Sequence, residues 1–219
     1  MFDSYQRWFP YERVAAPVTI VTIDEKSLTA LGQWPWPRVK MANLVNKLAA
    51  YQPAVIGFDA LFAEPDLYSA GAFASLIPGL PQQFIDKAKQ EHSGDRMFAR
   101  ALKDSRAVLA MAELPDAKGP DSRFPVIAPI RIKAKGELPF KRFENVLLSI
   151  PELDQAAAGR GFISNEEVDG IVRRAPLFAR IGKAGSANEG IGLSLTMEML
   201  RVLTGEGVSI QDLGDSTIE

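Results

Sequence analysis

The apolar positions of this chain change period along its length, and the changes mark its elements. Residues 16–24, APVTIVTID, form a β-branched run ending on Asp24 and predict a buried strand. Pro37 suits the first turn of a helix running to about Tyr51, with Met41, Leu44, Val45 and Leu48 recurring at helical spacing. Residues 53–62, PAVIGFDALF, predict a second strand carrying Asp59. Strand, helix, strand is the βαβ pattern, so a parallel pair with a right-handed crossover is expected. Asp24 and Asp59 then fall near the carboxyl edge of the sheet, where open α/β sheets bind ligands.

Further along, residues 63–81 are rich in Gly, Ala, Ser and Pro and read as a surface excursion. Residues 82–104 are helical in pattern with a break at HSGD, Asp95 suiting an N-cap and Phe98, Ala101 and Leu102 forming the apolar face. RAVLAMAEL (106–114) predicts a third strand, and residues 124–134 another, at an edge or bend because of Pro129. Residues 156–181 predict a hairpin in which GFIS and GIVRRAPLFARI flank the turn NEEVDG. Residues 190–205 predict a helix closed by Gly205. The sum is an α/β fold: a layered sandwich with a mixed, partly parallel β-sheet and a β-hairpin in the C-terminal half. One domain over residues 16–207 is expected, between an N-terminal segment (1–15) and a C-terminal tail (208–219).

Composition narrows the chemistry. With 219 residues, 47% hydrophobic, the chain is long enough for a sizeable core. A net charge of −2 with dispersed basic residues argues against nucleic acid as a partner. The absence of cysteine excludes disulfides, thiolate zinc sites and cysteine nucleophiles. The one histidine, His92, lies in a polar stretch and reads as an exposed residue rather than a catalytic one. No apolar run reaches the roughly 18 residues of a membrane span, and no signal peptide is visible.

Residues 32–38, GQWPWPR, are the most distinctive stretch. Each tryptophan precedes a proline, which predicts a stiff aromatic ridge. Taken in order, VTIVTIDEKSLTALGQWPWPR, AVIGFDALFAEPD, AVLAMAEL and GFISNEEVDGIVRRAPLF resemble the second type of CHASE domain, the cyclase/histidine-kinase-associated sensory extracellular domain. The resemblance spans about residues 14–205. It implies the extracytoplasmic input domain of a bacterial transmembrane receptor, on the periplasmic or extracellular side, with residues 1–15 close to the membrane. The implied output is a cytoplasmic class III cyclase or a histidine kinase, and the implied working state is a homodimer. The resemblance implies no catalysis in this fragment and no cofactor.

The polar residues of these blocks supply the candidate binding set: Asp24, Trp34, Trp36, Arg38, Asp59, Glu64, Asp66, Asn165, Asp169 and Arg173. Close carboxylates must bind a cation, share a proton or pair with a base. Two uses therefore stay open. The aspartates cap helices and turns and are neutralised by Arg38 or Arg173, or they grip a small polar ligand or a divalent cation beside the tryptophans. Two further functions compete with the sensor: a soluble α/β hydrolase using strand-end aspartates, and a module that senses a membrane partner without a small ligand. The hydrolase lacks an acidic-x-acidic pair after the first strand, since Glu25 and Lys26 follow Asp24.

Overall fold

The computed structural model describes residue 8 and residues 18–91, 93–114, 130–133, 138–168, 171–185 and 189–211. The chain divides into two compact units, residues 1–36 and 37–219.

In the first unit, residues 18–23 form no strand and every one is exposed, Ile20 to 82%. This differs from the buried strand expected over residues 16–24. β-Branched residues favour an extended backbone, but a strand exists only where a neighbour accepts its hydrogen bonds. Asp24 begins helix α1 (Glu25–Leu31) instead, and Gly32 ends it at φ +92°.

The second unit holds the remaining elements. In chain order they are α2 (Arg38–Ala49), β1 (Ile56–Phe58), α3 (Ala70–Ser75), α4 (Gln82–Glu91), α5 (Gly94–Lys103) and β2 (Ala107–Glu113). β3 (Arg131–Lys133), β4 (Arg142–Phe143), β5 (Val146–Leu147), α6 (Pro151–Ala156) and β6 (Gly159–Phe162) follow. The last are β7 (Glu166–Val168), β8 (Ile171–Arg174), β9 (Phe178–Ile181), β10 (Gly190–Leu193), α7 (Leu195–Thr204) and β11 (Ser209–Gln211).

β2 is the centre of the main sheet. It pairs in parallel with β1, Gly57 opposite Val108, and with β6, Ala110 opposite Gly161. Its far end pairs antiparallel with β5. The parallel partner of β1 is therefore the 107–113 strand, reached through the α3–α5 excursion. Side-chain alternation on β1 assigns the two faces of the sheet. Phe58 meets Phe98 of α5 edge-on, with ring centroids 5.8 Å apart. On the opposite face a Cβ at Gly57 would lie 2.3 Å from Met199 Sδ of α7. Helices thus cover both faces, α5 backed by α2 and α6 on one side and α7 on the other. β2 is fully buried from Ala107 to Met111, as a strand covered on both faces must be.

A second sheet, in the order β10-β9-β4, shares a core of Met111, Phe143, Val146, Leu148, Phe162, Ala179 and Ile181. Aromatic pairs such as Phe143 and Phe162, nearly perpendicular at 5.3 Å, fill it. The mixed α/β sandwich expected from the sequence is present. Three boundaries differ. GFIS contributes β6, a parallel partner of β2 rather than a hairpin arm, and the hairpin is the shorter β7–β8 pair. Residues 190–193 are strand β10, and the helix starts after Ser194, whose hydroxyl accepts from Met197 N at 3.3 Å. Gly205 closes that helix at φ +72°, as expected. Residues 209–211 form β11, paired with β3, and Ile210 is fully buried. The proposed strand over 124–134 lies outside the described residues except for its last part, where β3 forms.

Candidate functional site: a buried arginine–aspartate centre

The candidate residues fall into two groups. Asp24, Trp34 and Trp36 belong to the first unit, and the rest to the second. Asp24 is exposed and caps α1, accepting from Ser27 N at 2.8 Å and from Ser27 Oγ at 2.7 Å. Those two bonds hold its carboxyl below the usual carboxylate range. The hydrolase reading needed Asp24 at the end of a strand, and that strand is not there. Trp36 donates its ring N–H to Gly32 O at 2.7 Å, and the two indoles lie 6.1 Å apart and tilted. The Trp34–Pro35 bond is cis.

Arg38, Glu64 and Asp66, by contrast, converge. Arg38 is the first residue of α2, with Pro37 one place earlier than expected, at the N-cap. Its guanidinium donates Nη2–H to Glu64 O at 2.9 Å and lies 4.6 Å above the ring of Phe62. Asp66 points inward: Oδ2 accepts from Arg38 N at 3.3 Å and Oδ1 from Tyr68 N at 3.1 Å. Glu64 turns its side chain outward and contributes only its carbonyl.

The fourth member is Asp95, which the sequence places at a helix cap. Ser93 is the cap, accepting from Arg96 N at 3.3 Å, and Asp95 sits inside the first turn of α5. It accepts from Asp66 N at 3.0 Å through Oδ2, and its Oδ1 lies 3.3 Å from Arg38 Nε. Asp95 precedes Phe98 by three residues, so the helical stripe that buries Phe98 buries Asp95 as well. That spacing was the available signal. Gly94 keeps the centre closed, since a Cβ there would lie 2.2 Å from Asp66 Oδ2.

The centre is unequal in charge: two buried carboxylates face one buried guanidinium. Burial pushes the Asp95 carboxyl above its usual range, against the pull of the Asp66 N–H bond and of Arg38. A carboxyl raised by folding binds its proton more tightly folded than unfolded. Its ionisation therefore costs stability at neutral pH, and the cost is relieved as pH falls through its folded titration toward its ordinary value. Asp95→Asn keeps an oxygen acceptor for Asp66 N and removes the titration. The difference in denaturation midpoint between wild type and Asp95→Asn, followed from pH 7 to pH 4, should move in favour of wild type on acidification. A flat difference would contradict this.

Other polar residues lie beyond the carboxyl ends of the parallel strands. Asp59 is exposed just beyond β1, and Asn165 just beyond β6. At the end of β2, Glu113 pairs with Lys141 at 3.0 Å and its N–H bonds Ser164 Oγ at 2.7 Å. Sequence reasoning missed Glu113, Lys141 and Ser164, because their convergence depends on strand order. The side chain of Arg173 and all of Asp169 lie outside the described residues. No cluster of three or more His, Asp or Glu side chains able to hold a metal occurs among the described residues.

These features define a mixed-sheet α/β sandwich with a buried ion-paired centre and a polar strand edge. A family model, the CHASE2 domain, matches residues 1–218, and the chain belongs to that family. CHASE2 is an extracellular or periplasmic sensory domain family typical of signalling proteins, and it is sensory rather than catalytic. Among the described residues no helix is long and apolar enough to cross a membrane. No curated protein matches the chain, and no solved structure does.

Proposed function

We propose that this chain is the extracytoplasmic input domain of a bacterial transmembrane receptor, working as a homodimer that controls a cytoplasmic output such as a class III cyclase or a histidine kinase. The observation that carries the reading is the CHASE2 match along residues 1–218. A stimulus acts on such a domain only by favouring one signalling state over another. Exposed Asp59 and Asn165 and the part-buried Glu113–Lys141 pair support a small polar ligand or a cation beyond the strand ends, the position open parallel sheets use for binding. The Arg38 centre supports a different role. It is filled by its own partners and ties the 64–68 loop to the starts of α2 and α5.

Thermal unfolding of the chain with a set of divalent cations, sugars, amino acids and inorganic phosphate tests the binding reading. A ligand at a hundred times its dissociation constant adds about 2.7 kcal/mol. Asp59→Asn should lower that gain while leaving the ligand-free midpoint near wild type. If none of these compounds shifts the midpoint, sensing of these classes of small ligand at this edge is overturned.

A further inference from the structure

The buried centre holds one more negative group than positive, and its four carboxylate oxygens are not equally occupied. Asp66 Oδ2 accepts from Arg38 N at 3.3 Å, Asp66 Oδ1 from Tyr68 N at 3.1 Å, and Asp95 Oδ2 from Asp66 N at 3.0 Å. Asp95 Oδ1 has no hydrogen bond, and neither has Arg38 Nε, although the two atoms lie 3.3 Å apart. Their contact is an ion pair without the alignment of a hydrogen bond. Both atoms are buried, so water does not supply the missing bond. An ionised carboxylate oxygen left without a donor in such a place is where a proton is bound most favourably.

The charges around Asp95 set what that proton does. Among the described residues, Arg38 of α2 and Asp66 of the 64–68 loop are the charged groups that act on it. Asp66 Oδ2 lies against Gly94, the residue before Asp95. The other charges on α5 and on the helices packed against it, α2 and α6, are exposed or paired elsewhere. Lys40 and Lys47 of α2 and Arg100 and Lys103 of α5 are exposed. Glu152 of α6 pairs with Arg96 at 3.6 Å, and Asp154 with Arg160 at 2.7 Å. One guanidinium therefore serves two carboxylates, and a proton on Asp95 Oδ1 makes the count equal. It also sets an O–H opposite the Nε–H of Arg38, two donors across one gap. The Asp95–Arg38 pair then opens. The bonds from Arg38 N to Asp66 Oδ2 and from Asp66 N to Asp95 Oδ2 need no ionised Asp95 and remain.

We propose that this centre is a proton-operated switch: one proton from solvent, bound at Asp95 Oδ1, releases Arg38 from α5 and leaves it paired with Asp66 on the 64–68 loop. A proton, like any ligand, acts by favouring one arrangement over another. Its role as a stimulus rests on the reading of the domain as extracytoplasmic, where the surroundings set the pH. Carboxyl-carbon and guanidinium NMR of the folded chain, followed from pH 7 to pH 4, tests the switch. The Asp95 carboxyl should titrate above the ordinary carboxylate range, and the Arg38 Nε–H signal should move with the same midpoint. Asp66→Asn removes the competing carboxylate and should weaken proton binding at Asp95 about tenfold, a fall of about one pH unit in that midpoint. Asp95→Asn should hold the Arg38 signal at pH 7 where wild type brings it only in acid. An Asp95 carboxyl that titrates within or below the ordinary range overturns the switch, as does an Arg38 signal that ignores the titration. Wild type alone decides both if a variant does not fold. An Asp66→Asn midpoint equal to that of wild type also overturns it. A working titration in a chain that fusion reporters place in the cytoplasm overturns the extracytoplasmic reading and keeps the switch, and a silent centre in an extracytoplasmic chain does the reverse.

Discussion

Arg38→Met should destabilise the domain by about 3–5 kcal/mol, because it leaves two buried carboxylates facing each other without their cation. The side chains of Arg38 and Asp95 are 8% and 10% exposed, so solvent screens the pair little. The substitution also frees the Glu64 carbonyl from its donor. Methionine occupies a similar path over Phe62, so the loss reports charge more than volume. Adding Asp66→Asn and Asp95→Asn to Arg38→Met should recover most of the lost stability, since a neutral centre has nothing left to compensate. Equilibrium denaturation of the single and triple variants measures both. If the triple variant is as unstable as Arg38→Met, packing rather than charge holds the centre together.

Phe62→Ala should cost a comparable 3–5 kcal/mol, by a different mechanism. Phe62 is fully buried and meets Phe58 and Phe98 edge-on, at 5.9 Å and 5.0 Å. Truncation opens a cavity beneath the arginine and removes the ring that the guanidinium covers. Because Phe62 and Arg38 touch, the double variant Arg38→Met with Phe62→Ala should lose less than the sum of the two. Urea denaturation of the four proteins gives the coupling, and strict additivity would show that the cation and ring act independently.

The two sites also divide the roles that the sequence left open. Neutralisation by arginine describes Asp66 and Asp95, and capping describes Asp24. Asp59 and Asn165, beyond the strand ends, stay exposed.

How much was legible in the sequence depended on how local each signal was. Helix α5 was readable because its apolar face repeats within ten residues, and α7 because Gly205 closes it. The run at 16–24 carries β propensity, and propensity does not supply a partner strand. At residues 190–193 an apolar GIGL fits either period, and only the pairing of Leu193 with Phe178 decides for a strand. The site followed the same rule. Arg38, Glu64 and Asp66 came out of recognisable blocks, whereas the bond from Asp66 N to Asp95 joins residues 29 apart in sequence. Glu113 and Lys141 meet across an equally long separation of 28.

Membrane topology tests the central claim most directly. Alkaline phosphatase fused behind Glu219, with the chain expressed behind whatever precedes it in its natural reading frame, should be active in a bacterial host, and green fluorescent protein at the same place should be dark. A fluorescent fusion with inactive phosphatase would place the domain in the cytoplasm and contradict its role as an extracytoplasmic input.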